Sequence, residues 1–225
     1  VIWLCNPRSG SRLFGAILLA HFLFVCAVKV LHGTTWHLLW FCHISLAIAA
    51  LGFLTQSKLL KATALTNVFV LHSLWIFDFT YGYATGNFPL AFTADARDVD
   101  LWNWLASLHH LYVLPLLLWS FWREREYPRE AWLISATVFV VVMLASRSLL
   151  WPAQNVNYSY FIPESLHLYG MSTLNQLPDE LYLLGVHGIV NLIAFFPATI
   201  VLTALSRLLR SADNATFTVA PPASV

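Results

Sequence analysis

Six apolar runs, each long enough to cross a bilayer, follow one another along this chain of 225 residues. A span needs about 20 mostly apolar residues. The runs are Leu13–Leu31, Thr35–Leu54, Leu59–Phe79, Leu101–Trp122, Ala131–Trp151 and Glu180–Leu208. In hydrocarbon every backbone polar group needs an internal partner, which leaves helices and closed barrels as the spanning structures. None of the runs alternates polar and apolar residues as a barrel strand does. The expectation is therefore an all-α polytopic bundle of six transmembrane helices. Composition agrees, with 59% hydrophobic residues, 10% Asp, Glu, Lys and Arg, and a mean hydropathy of +0.68, far from a soluble domain. One six-helix domain over residues 1–210 accounts for most of the length. The stretch 211–225, ending in Ala-Pro-Pro-Ala-Ser-Val, reads as a disordered cytoplasmic tail.

Basic residues orient the bundle. With six spans, Arg8, Arg12, Lys58, Lys61, Arg123, Arg125, Arg129, Arg207 and Arg210 share one side, Lys29 and Arg97 take the other, and Arg147 lies within the fifth span. The positive-inside rule then puts both termini in the cytoplasm. The localisation expected is multi-pass, in a bacterial inner or plasma membrane. A net charge of +1 gives no reason to expect a nucleic-acid partner, and the expected partners are membrane lipids. The oligomeric state is open. Cys5, Cys26 and Cys42 are too few and too scattered for a disulfide framework or a zinc motif. The first run is too long, and lacks the cleavage site, for a signal peptide.

The cytoplasmic connections are short, whereas two longer loops, Thr80–Asp100 and Pro152–Asp179, fall on the opposite face. Long ordered loops often build a site.

Histidines on four spans share one depth. Cys42 and His43, His72, the pair His109-His110, and His187 all come to roughly 10–13 Å below the external interface at ~1.5 Å per residue. Asp78 and Arg147 lie slightly nearer that surface and Asn67 slightly deeper. Ionisable groups in hydrocarbon are costly and face the bundle interior or a wet cavity. A single such histidine is more often a hydrogen bond between helices, but a shared depth on four spans points to one site. Three chemistries suit it. Cys42 can serve as a nucleophile activated by an imidazole. Neutral imidazoles can bind a metal or haem, although no local ligand spacing such as His-Glu-x-x-His exists. A proton relay through His, Asp78 and Arg147 would suit a transporter, although no inverted repeat accompanies it. Pro115 and Pro197 interrupt spans four and six and are expected to kink them.

The stretch Gly33-Thr34-Thr35-Trp36-His37-Leu38-Leu39-Trp40-Phe41-Cys42-His43 resembles a helix of a group of bacterial integral membrane proteins. That group is related to the eukaryotic transmembrane acyltransferase of ether phospholipids. More remotely it is allied to the androgen-induced hydrolases that cleave fatty-acid esters of hydroxy fatty acids. Ser107-Leu108-His109-His110-Leu111 resembles the helix carrying the family's histidine. Asn157-Tyr158-Ser159-Tyr160-Phe161 with Pro163 resembles its Asn-Tyr-x-Tyr element, and Leu177-Pro178-Asp179-Glu180-Leu181-Tyr182 the entry of its last helix. Two departures stand out. The family places a His two residues before its Cys, where this chain has Trp40. The family's His is followed by Gly, where this chain has His109-His110 and, later, His187-Gly188.

The resemblance implies a lipid acyltransferase or acyl-ester hydrolase. Cys42 would attack the ester and His109 or His110 would take its proton. Asn67, His72 or His43 would donate to the oxyanion, Asp78 or His187 would orient the base, and Arg147 would hold a head group. Neither a metal nor another cofactor is required by that chemistry. The alternatives are a non-enzymatic membrane protein, transporter-like or a scaffold, and a His-ligated metal or haem protein.

Overall fold

A computed structural model of the chain describes residues 7–94, 98–164, 166 and 170–217. Its elements are α1 (Pro7–Leu31), a 3-10 turn (Thr35–Leu39), α2 (Phe41–Thr55), α3 (Lys58–Thr85), α4 (Leu101–Ser107), α5 (His109–Glu124) and α6 (Glu130–Leu149). They continue with three short 3-10 turns, then α7 (Asp179–Val190), a π turn (Asn191–Phe195) and α8 (Phe196–Phe217). Among the described residues there is no strand. Five helical segments are long and apolar enough to cross a membrane: Ser11–Leu31, Lys58–Thr85, Leu101–Glu124, Glu130–Leu149 and Asp179–Ala212.

The second apolar run differs from the rest. Instead of one helix from Thr35, it forms the 3-10 turn, an extended Trp40 (φ −57°, ψ 132°) and the 15-residue α2. At ~1.5 Å per residue α2 is roughly 22 Å long, short of a ~30 Å hydrocarbon core. Its break has a visible cause. Asn157, from the loop after α6, donates to the Leu39 carbonyl at 2.7 Å and accepts from the Phe41 N–H at 2.8 Å. Those bonds satisfy backbone groups that a continuous helix would have used.

Both expected proline effects take a definite form. Pro197 has no N–H for the carbonyl four residues back, Ile193, and Ile193 lies in the π turn that separates α7 from α8. Pro115 sits inside α5, while the interruption of that span falls at Leu108, just before the histidine pair. Helix α3 runs on to Thr85, past the expected loop start at Thr80, and α8 runs past Arg210 to Phe217. Residues 218–225 of the expected tail lie outside the described set.

Helix α3 is the hub, packing on α2, α5, α6, the π turn and α8. Eight consecutive residues, Lys61 to Val68, are buried, so this stretch is enclosed on every side. Small residues permit the close approach: a Cβ on Gly15 of α1 would come 2.6 Å from the Leu54 backbone nitrogen of α2. On the basic side, Lys58 pairs with Glu126, and Lys61 with Glu124. The buried apolar residues form two clusters. One joins α1 through α5 with Ala131 of α6 and with Ala198 and Leu202 of α8. The other gathers Phe41, Phe139, Met143, Ile162, Tyr182 and Phe195 beneath the long loop. The polar layer divides along the same line.

Candidate functional site: a cluster of imidazoles beside Cys42

Four of the expected histidines meet. The rings of His109 and His110 lie 4.0 Å apart between centroids, His72 and His110 4.7 Å, His43 and His109 5.2 Å, and His72 and His109 5.9 Å. One ring nitrogen from each of His72, His109 and His110 falls within 4.8 Å of the others. The Sγ of Cys42 and one nitrogen each of His43 and His109 satisfy the same limit. Helices α2, α3 and α5 thus deliver their groups to one place, with His109 common to both triplets.

Local backbone chemistry fixes the rings. The interruption at Leu108 leaves carbonyls of α4 free, and Nδ1 of His109 donates to Ala106 at 2.8 Å, Nδ1 of His110 to Ser107 at 2.9 Å. Nδ1 of His43 likewise donates at 2.7 Å to the His37 carbonyl, which also accepts the Trp40 N–H that closes the 3-10 turn. A carbonyl can only accept, so each Nδ1 carries the proton and each Nε2 keeps its lone pair when the ring is neutral. Trp75, one turn beyond His72, stacks on His110 at 4.5 Å and 14°.

The centre of the cluster is polar and unsatisfied. His72 and His109 are 3% and 0% exposed. Among the described residues, both ring nitrogens of His72, Nε2 of His109 and both amide atoms of Asn67 are buried without a hydrogen-bond partner. Leaving such a group unpaired costs about 1–3 kcal/mol, so orphans gathered in one place call for a reason.

Other expected residues go elsewhere. His187 faces away, stacked on Phe139 at 6.3 Å with its Nε2 3.3 Å from the Ala136 carbonyl and 3.0 Å from Asn191 Nδ2. Asp78 accepts from the Leu90 and Thr93 N–H groups and the Thr93 hydroxyl at 2.7–2.9 Å, tying the first long loop to α3. Arg147 donates to the Ser159 carbonyl at 3.0 Å, pairs with Asp179 and lies over Tyr160. These three side chains are committed to those partners rather than to the imidazole cluster.

Two neighbours carry no role in the sequence reading. His21 on α1 lies 5.9 Å from His109 and donates to the same Ala106 carbonyl at 3.1 Å. The signal was there, since His21 sits about ten residues before the end of its span, near the depth of the layer. The second is Tyr158, which follows Asn157. Both hold φ of 55°, a region costly for residues with a side chain and common at functional sites. Burial pushes the Tyr158 phenol up to about 12, so it stays a neutral donor at physiological pH.

Behind His110 a cavity of about 180 Å³ opens between α3 and the α4–α5 segment, lined by Trp75, Phe79, Phe92, Ser107, Leu108 and Leu111 among others. It is an apolar slot that ends at the aromatic wall of the cluster. No family model matches this chain, and neither a curated protein nor a solved structure matches it significantly.

Proposed function

We propose that this protein is a membrane enzyme of lipid acyl transfer or acyl-ester hydrolysis, with Cys42 as nucleophile. It crosses the bilayer six times, α2 with its 3-10 lead-in counting as one crossing. Both termini are cytoplasmic and the cluster lies in the external half, an arrangement supported by the one-sided distribution of Lys and Arg. The observation that carries the chemistry is the meeting of the Cys42 sulfur with nitrogens of His43 and His109 within 4.8 Å, in a buried layer.

In this reaction the His109 imidazole takes the thiol proton as sulfur attacks the ester carbonyl. The tetrahedral intermediate collapses to a thioester, and the alcohol leaves with the proton that the imidazole returns. Water or a lipid hydroxyl then attacks the thioester, again losing its proton to the imidazole, and the thiol is regenerated. The unpartnered Asn67 amide and the Tyr158 phenol are the donors offered to the oxyanion. The apolar slot behind His110 suits an acyl chain entering sideways from lipid.

The test is lipid turnover by the purified protein in mixed-phospholipid nanodiscs, read by mass spectrometry. Acyl exchange or release by the wild type should vanish in Cys42→Ala and fall by about 10²–10⁴ in His109→Ala, the usual worth of a general base. Equal lipid profiles for wild type and Cys42→Ala would remove the thiol mechanism.

A further inference from the structure

The nitrogens of His72, His109 and His110 form more than a hydrogen-bonding layer. We infer that these three side chains bind a single divalent transition-metal ion of the Zn²⁺ class within the membrane.

Four observations converge on it. First, one nitrogen from each ring lies within 4.8 Å of the others. A tetrahedral ion with ~2.0–2.1 Å bonds to nitrogen holds its donors about 3.3 Å apart, so closure needs small side-chain rotations. Second, the groups that must move can move: among the described residues both nitrogens of His72 lack a hydrogen-bond partner, as does Nε2 of His109. Third, His109 and His110 each donate Nδ1–H to a main-chain carbonyl. That outer contact is how ligating histidines are oriented, and it leaves Nε2 unprotonated for a metal. Fourth, the donor set selects the ion. Imidazole nitrogen suits Zn²⁺ and its neighbours, whereas Mg²⁺ and Ca²⁺ need oxygen ligands. The nearest buried carboxylate on α3, Asp78, is fully engaged with its loop.

No local spacing announced this site, because its ligands come from two helices: His72 from α3 and an adjacent pair from α5. Three protein ligands leave a fourth position open, the arrangement of a catalytic rather than a structural ion. Cys42 and His43 form the other triplet with the shared His109. With the ion bound, His109 is a ligand and the Cys42 proton goes instead to His43, the other imidazole of that triplet, so the base assigned above is that of the metal-free protein. The inference does not rest on acyl transfer, since metal content is measured without substrate. Loss of turnover in Cys42→Ala with metal retained would separate the two.

The experiment uses the full chain, purified in detergent after chelation and reloaded with Zn²⁺ or Co²⁺. Bound metal is counted by plasma mass spectrometry and ligation is read from the visible Co²⁺ spectrum. One ion per chain is expected in the wild type and in His187→Ala, and its loss in His72→Ala and His109→Ala. The wild-type Co²⁺ spectrum decides even if a histidine variant fails to fold. Four-coordinate bands without a sulfur charge-transfer band support the three-histidine site. An intense sulfur band would move the ion to Cys42, His43 and His109 and overturn this assignment. So would a wild type that binds no ion, or a folded His72→Ala that keeps it.

Discussion

Two polar assemblies sit in this membrane protein, and they are built on opposite terms. Around the long loop, Asn157 uses both amide atoms on the backbone at Leu39 and Phe41. Asn155 uses its amide on Tyr160 and Phe161, and Arg147 has a carbonyl, a carboxylate and a ring. Around His109 the polar atoms are as deeply buried, yet His72 and Asn67 have no partner among the described residues. The first assembly is glue: each bond holds an irregular stretch of chain where a helix would otherwise satisfy itself. In the second, the unpartnered atoms of His72 and Asn67 and Nε2 of His109 are held at a cost. Groups kept at a cost to stability are the ones that function accounts for.

Breaking the glue should have the largest effect. Asn157→Ala strips partners from the Leu39 carbonyl and the Phe41 N–H at once, and each orphaned group costs about 1–3 kcal/mol. Unfolding in detergent should therefore shift down by roughly 3 kcal/mol, and Asn157→Asp, which keeps the acceptor for Phe41 but sets a buried carboxylate oxygen against the Leu39 carbonyl, should lose at least as much. A neutral Asn157→Ala would make the two assemblies alike. The opposite sign is expected at the cluster. In His72→Phe an aromatic ring replaces an unpartnered imidazole, which should raise stability by about 1 kcal/mol and abolish metal binding. Destabilisation by His72→Phe would mean that the imidazole is paired in the folded protein, and the contrast would fail.

The sequence made one coordinate of this arrangement legible and hid another. Depth follows from counting residues along apolar runs, and the four histidines it sets at one level, His43, His72, His109 and His110, meet in the structure. Rotation about each helix axis is not written in runs that are apolar on all sides. For that reason His187, at the same depth, turns to Phe139, while His21, near it, was overlooked. Loop chemistry was hidden for a different reason. Asp78 reads as a charge in hydrocarbon, but its partners are the backbone of residues 90 and 93, which no local pattern predicts. The interrupted second run depends likewise on Asn157, more than a hundred positions away. The five long helices needed no such partner, since length and composition carry them.

The smallest effect lies at the N-terminus of α4, the segment that leads into the histidine pair, and tests whether the two assemblies respond separately. Asp100 caps α4, accepting from the N–H groups of Trp102 and Asn103 at 2.9 and 3.2 Å and from the Asn103 side chain at 2.6 Å. That side-chain bond first, then the backbone bonds and the His32 charge, hold the carboxyl below its ordinary range. A carboxylate depressed in the folded state contributes stability above its unfolded pKa, and that contribution is lost as pH falls through the folded value. The cap should therefore be intact at neutral pH and fail only below the usual Asp range near 3.9. Amide-exchange protection at Trp102 to Trp104 should fall in that acid window, while protection in α7 stays level. Asp100→Asn keeps a capping side chain and removes the titrating group, so its α4 protection should lose the acid dependence. If protection in α7 fell together with that of α4, the two regions would unfold as one unit, and the division between glue and site would not extend to their stability.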